Sequence, residues 1–303
     1  MPDLSVEIAG IKLKNPVLPA SGTYEPTLPL ADTFSPSELG AIINKTVTLK
    51  PQPGNPPPRL WETPCGMLNS IGIPSKGITY FIKQELPELK KLNEHLIVSI
   101  AGFSIAEFCQ LAELVAAQAG VHFIELNLSC PNLRDHIIWS DDASSLKKVI
   151  SAVRKKVKLP LIAKLSPNVA DIAKMSLIAE EAGADALALV NTYRGMAIDL
   201  FSKTPALGNI TGGLSGPAIK PLALYAVYSV FQKLSIPIIG MGGICSWKDA
   251  IEYILAGATC IAVGMYNFVD PLVMKKIITG ISRYLHDNNF KAVKEIIGLA
   301  HQK

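Results

Sequence analysis

The sequence predicts a (β/α)₈ barrel, and three observations carry the prediction. Eight short runs are apolar on both faces: Pro16–Ala20, Ala41–Lys45, Leu96–Ile100, Phe123–Leu128, Leu161–Leu165, Ala186–Val190, Pro237–Gly240 and Cys260–Val263. Stretches of helical period lie between them, such as Ile105–Ala119, Ser145–Val157, Ile172–Ala182, Pro221–Leu234 and Trp247–Ala256. Strands buried on both faces and each followed by a helix make a parallel sheet covered by helices, and eight such units suit a closed barrel. The third observation is where the long connections fall. Residues 48–77, 131–144 and 193–219 all follow strands, so all three belong at the C-terminal mouth, where barrels of this kind build their sites.

Taken in order, Ser5–Ile8 and Ile11–Lys14 flank Ala9-Gly10 and read as an N-terminal β-hairpin. The eight units then follow without a linker or composition shift, so residues 1–303 are read as one domain. Nearly half the residues (49%) are apolar, enough for a large core. The net charge of +4 is spread along the chain, and no basic block points to nucleic acid. The five cysteines stand at 65, 109, 130, 245 and 260. They form no C-x-x-C pair, which argues against a disulfide framework or a self-contained iron–sulfur site. The chain enters its first strand pattern at once, without an apolar leader or a run long enough to span a bilayer, and reads as cytoplasmic.

Polar residues gather where the apolar runs end: Ser21, Lys45-Thr46, Ser99, Asn127 through Cys130, Lys164, Asn191-Thr192, Gly242-Gly243 and Gly264. Any one of them reads as a strand cap or turn. Their recurrence on nearly every strand points to one shared pocket. Glycines after the seventh and eighth runs stand at the usual phosphate-binding place of such barrels, while the G-x-G-x-x-G spacing of a dinucleotide fold is absent. Lys45 and Lys164 at strand ends call for an anionic group, since an unpaired lysine entering a barrel mouth is costly. Cys109 and Cys260 read as small apolar residues. Cys130 differs, because it opens a long loop among asparagines whose amides suit a ring with alternating N–H and C=O groups, such as a pyrimidine.

Several motifs together resemble one family. Pro19 through Thr23, Asn44 through Thr48, Gly54-Asn55-Pro56-Pro57-Pro58-Arg59, Met67 through Gly72, Asn127 through Asn132, Asn191-Thr192, Gly212 through Gly216 and Gly240 through Gly243 are similar to those of class 1 dihydroorotate dehydrogenases, most closely the NAD-linked class 1B. The resemblance implies an FMN-dependent oxidation of (S)-dihydroorotate to orotate in pyrimidine (UMP) biosynthesis. Cys130 would be the general base at C5, with hydride passing from C6 to flavin N5. It implies FMN contacts from Ser21, Lys45, Thr46, Ser99, Asn127, Lys164, Val190, Gly216, Gly242, Gly243, Gly264 and Met265. Substrate contacts would come from Lys45, Asn69, Ser70, Ile71, Gly72, Ile73, Asn127, Asn132, Asn191 and Thr192. It further implies a homodimeric core joined to a second subunit that carries FAD and a [2Fe–2S] cluster and reduces NAD⁺. No metal, nucleic acid or membrane enters this reading.

The chain departs from the family pattern at a few positions. Ser99 replaces a usual asparagine, so one flavin contact is expected to be shorter or lost. Met265 replaces a hydroxyl residue, Pro74-Ser75 is unusual beside the substrate loop, and Leu133 through Ile138 replace a glycine-rich lid. The alternative within enzymes is a dihydropyrimidine dehydrogenase-like flavin reductase, and the proline run 56–58 favours dihydroorotate. A dihydrouridine synthase would need a basic RNA-binding face and a helical domain, for which the chain leaves no room.

Overall fold

The computed structural model describes residues 1–25, 34–129 and 139–302. Eight parallel strands form a nearly closed barrel: β1 (Val17–Pro19), β2 (Ile42–Ile43), β3 (Leu96–Ile100), β4 (Phe123–Asn127), β5 (Leu161–Lys164), β6 (Ala186–Leu189), β7 (Ile238–Met241) and β8 (Cys260–Val263). Hydrogen-bonded neighbours run β1-β8-β7-β6-β5-β4-β3-β2. The seam between β1 and β2 is bridged by the Gly40 amide, which donates to Val17 O at 3.1 Å. The chains come so close there that a Cβ on Gly40 would stand 2.2 Å from Asn15 O, which fixes glycine at that position. Every residue of β1, β2, β3 and β5 through β8 is buried, the pattern of strands covered on both faces.

The helices follow from their caps. Ser104, Asp142, Asp171 and Ser246 each accept a backbone N–H of the first turn, opening Ile105–Ala116, Ala143–Arg154, Ile172–Glu181 and Trp247–Leu255. Those helices, and Lys220–Phe231, stop one to three residues short of their sequence-predicted ends. Val273–Asp287 and a segment over 78–92, with a π-helical stretch at Phe81–Glu85, add two more to the helices around the barrel. The N-terminal hairpin pairs Val6–Ile8 with Ile11–Leu13 through Ala9 and Gly10, both at positive φ, as a two-residue turn of this hand requires.

The long connections, which show no strand period in the sequence, contain further strands. Leu60–Thr63, Gly66–Asn69, Tyr193–Gly195 and Gly212–Ser215 form a four-stranded antiparallel sheet, in the order 193–195, 212–215, 66–69, 60–63. Glycines allow this sheet to dock: a Cβ on Gly213 would lie 2.0 Å from Thr192 Oγ1. The run 54–59 braces the loop that follows the second of these strands. Ser70 N donates to Arg59 O, Asn55 N donates to Ile71 O, and a Cβ on Gly72 would strike Asn55.

Candidate active site

The strand ends and the antiparallel sheet enclose one pocket at the C-terminal mouth. Its floor is made by Ala20, Ser21, Thr46, Asn127, Lys164, Val190, Asn191, Thr192, Met241, Gly242, Gly243 and Gly264, with Lys45 at the rim. Its roof and rim add Leu60, Met67, Asn69, Ile71, Gly72, Ile73, Ser215, Gly216, Met265, Tyr266 and Phe268.

Lys164 ends β5 and is 6% exposed. It lines the pocket, and its ammonium makes no hydrogen bond or ion pair with any described residue. Lys45 lies beyond the end of β2, exposed at the rim, with its side chain running over Gly22. Beside Lys164 in register stands Asn127, whose amide donates to Thr46 Oγ1 at 3.1 Å. Asn191 fixes the chain on the other side: its Nδ2 donates to Ser129 O at 3.1 Å and Ser129 Oγ at 2.8 Å, and its Oδ1 accepts from Thr192 N.

At the opposite end of the pocket three glycine turns converge. Gly216, Gly242 and Gly243 all have positive φ, and Gly264 precedes a 3₁₀ turn at Met265–Phe268. A Cβ on Gly243 would meet Gly216 O and Lys220 N at 2.8 Å each, so backbone rather than side chain faces the pocket here. Tyr253, fully buried, donates its hydroxyl to Gly242 O at 2.7 Å. Burial pushes the Tyr253 phenol well above its ordinary range, so it remains a donor.

Behind these turns, Lys220 Nζ reaches Asp249 at 2.6 Å and Glu252 at 2.9 Å, while Cys245 and Ser246 donate to the other Asp249 oxygen. Burial alone would raise Asp249, but the bonds from Lys220, Cys245 and Ser246 hold it down at about 2. Burial first, and then the Asp249 carboxylate, push the Cys245 thiol up to about 11, which makes it a poor nucleophile.

Most sequence-predicted residues meet in this pocket: Ser21, Lys45, Thr46, Asn127, Lys164, Val190, Gly216, Gly242, Gly243, Gly264, Met265, Asn69, Ile71, Gly72, Ile73, Asn191 and Thr192 all line it. Ser99 and Ser70 do not. Ser99 is wholly buried beneath the floor, with Oγ 2.9 Å from Thr46 Oγ1 and 2.7 Å from Glu125 Oε1. Ser70, also wholly buried, accepts from Asn55 Nδ2 at 3.2 Å. Cys130, Asn132 and the segment Leu133 through Ile138 lie outside the described residues. Leu60, Tyr266 and Phe268 also line the pocket, and the sequence gives no sign of them, since an apolar residue in a long connection carries no signal of its own.

The sequence model of the family described as dihydroorotate dehydrogenase matches residues 3–285. The chain belongs to the dihydroorotate dehydrogenase family. Among members of this family it is 48% identical over 301 residues to a protein of Carboxydothermus hydrogenoformans, covering 99% of this chain and 98% of that one. It is 49% identical over 298 residues to one of Geotalea daltonii, covering 98% of each. A third, from Bacteroides thetaiotaomicron, is 45% identical over 299 residues, 98% of this chain and 99% of its own. All three are named dihydroorotate dehydrogenase B (NAD(+)), catalytic subunit, which agrees with the class 1B resemblance. Among the described residues of this dihydroorotate dehydrogenase family member, no helix is long and apolar enough to cross a membrane, and no cluster of side chains suits a metal ion.

Proposed function

We propose that this chain is the FMN-dependent catalytic subunit of an NAD-linked dihydroorotate dehydrogenase, a single FMN-binding unit over residues 1–303 acting in the cytoplasm. The observation that carries this reading is Lys164, a buried ammonium aimed into the pocket with no partner of its own among the described residues. Such a group requires an anion, and an anionic ring edge beside it answers that requirement. The glycine turns at 216, 242–243 and 264 fit the other end of FMN, because bare backbone there lets N–H groups approach phosphate oxygens.

FMN, when bound, supplies the two-electron acceptor. The chain's own residues do the rest. Asn69, Asn127, Asn132, Asn191 and Thr192, with Ser70 and the backbone of Ile71 through Ile73 behind them, hold and orient the pyrimidine ring. Lys45 reaches the ligand from the rim. Cys130, the residue after the Ser129 that Asn191 holds, takes the proton from C5 as general base. The relatives' shared designation as catalytic subunits supports a second subunit; in this reading that subunit holds FAD and [2Fe–2S], passes electrons to NAD⁺ and joins a homodimeric core.

The test uses the purified full chain loaded with FMN. Dihydroorotate should bleach the flavin, and an artificial acceptor should sustain turnover. NAD⁺ should be reduced only after the FAD-bearing subunit is added. A flavin that dihydroorotate leaves oxidised overturns the substrate assignment, and robust NAD⁺ reduction by the chain alone overturns the division of labour.

A further inference from the structure

Glu125 stands in the middle of β4, opposite Ser99 of β3, and is 0% exposed. It has one hydrogen-bonding contact, from Oε1 to Ser99 Oγ at 2.7 Å, and Oε2 has none. No ion pair among the described residues includes it. The nearest lysine in register, Lys164, lies opposite Asn127, one inward position nearer the mouth. A buried carboxylate in this condition is strongly disfavoured.

Counting hydroxyl protons along the chain of contacts gives the same answer independently. Ser21 Oγ has one proton, and Asn44 O, 2.8 Å away, can only accept it. The 3.1 Å contact between Ser21 and Thr46 must therefore use the Thr46 proton. With its proton spent on Ser21 and one lone pair taken by Asn127, Thr46 accepts across the 2.9 Å contact with Ser99, and the Ser99 proton is spent. The 2.7 Å contact between Ser99 and Glu125 then has a donor only if Glu125 supplies it.

We infer that Glu125 is a neutral carboxylic acid at the head of a one-way chain, donating to Ser99, which donates to Thr46, which donates to Ser21, which donates to Asn44 O. The opposite direction would leave lone pairs of Ser21 and Thr46 facing each other and an unpaired charge in the barrel. Glu125 is thus a positioning residue that acts through Ser99. Its effect at the floor, which rests on the function proposed above, is to fix what a bound ring meets. Both pocket-lining hydroxyls have spent their protons, Thr46 is saturated, and Ser21 keeps one lone pair for a ring N–H.

Infrared difference spectra of the full chain at neutral pH, with FMN bound and again without it, test this. Parent minus Glu125→Gln should show the C=O stretch of a protonated carboxyl, lost in the variant and shifted down in D₂O. Ser99→Ala should move that band without removing it, because the acid loses its acceptor; if Glu125→Gln does not fold, this shift alone decides. An unchanged spectrum in Glu125→Gln makes Glu125 a carboxylate, and a band that Ser99→Ala leaves in place shows that no acid donates to Ser99; either result overturns the inference. The band is read with or without cofactor, so failure to bind FMN would count against the proposed function and not against the protonated acid.

Discussion

The floor and the roof of the pocket are built by opposite means. The floor is the end of a parallel barrel whose strands are almost wholly buried, and its polar groups, Lys164 apart, are tied to one another or to groups packed behind them: Ser21, Thr46, Ser99 and Glu125 in one chain, Lys220, Asp249, Cys245 and Ser246 in another. The roof is a small antiparallel sheet drawn from two connections, and much of it faces solvent. Leu60 is 51% exposed and Trp61 36%, whereas Leu68 is buried. In the floor, then, positions are fixed by the core itself, and a substitution reaches stability as well as chemistry. In the roof, binding can be altered while the barrel stands.

The largest effect should come from Cys130, the residue that follows Ser129 in the sequence. Cys130→Ser should retain FMN and bind orotate, while stopped-flow flavin reduction falls by roughly 10²–10⁴-fold, as for loss of a positioned base. Parental reduction rates across the pH range would end its assignment as base.

Lys164→Ala should separate binding from folding. Removing a charge-assisted contact weakens FMN binding by about 10- to 100-fold, while the cofactor-free protein gains or keeps stability because a lone buried ammonium is gone. Titration calorimetry and melting curves read the two separately. Unaltered FMN affinity would remove Lys164 from the site.

Asp249 gives the floor a pH signature. Its folded pKa of about 2 lies below the ordinary value of about 3.9, so its contribution is complete above pH 4 and is lost as pH falls through 2. The shift corresponds to about 2 to 3 kcal/mol. Asp249→Asn should therefore be less stable by that order at pH 7, and the two denaturation curves should converge near pH 2. A gap that stays constant with pH contradicts the ionic account.

The smallest effect on folding belongs to the roof. Leu60→Ser should change unfolding free energy by no more than about 0.5 kcal/mol yet weaken ligand binding several-fold, because Leu60 lines the pocket. A large drop in melting temperature would show that roof and barrel are one cooperative unit.

This division also explains what could be read from the sequence. Floor residues such as Lys164 and Asn127 were legible because a polar side chain interrupts an apolar run just where a strand must end. Ser99 obeys the same rule and yet lies beneath the floor, since a strand's inward positions form layers and only the last reaches the pocket. Glu125 was passed over because one polar residue inside an apolar run carries no sign of its partners on a neighbouring strand. The roof is illegible for a different reason: its strands are three or four residues long, rich in glycine, and half exposed, so alternation never accumulates. The apolar pocket residues Leu60 and Phe268 depend wholly on tertiary placement.

Gly240 closes the account of the floor from an unexpected side. A Cβ there would stand 2.5 Å from the Tyr253 ring, the same ring whose hydroxyl holds Gly242 O. The glycine at 240 is therefore dictated by a side chain thirteen positions later and not by any ligand. The two sites should be inherited as a pair: a lineage that gains a side chain at 240 must first shrink residue 253, and in doing so gives up the phenol that steadies the turn. Directed evolution of this pocket would meet that coupling as a valley, crossed by the double change and by neither single one.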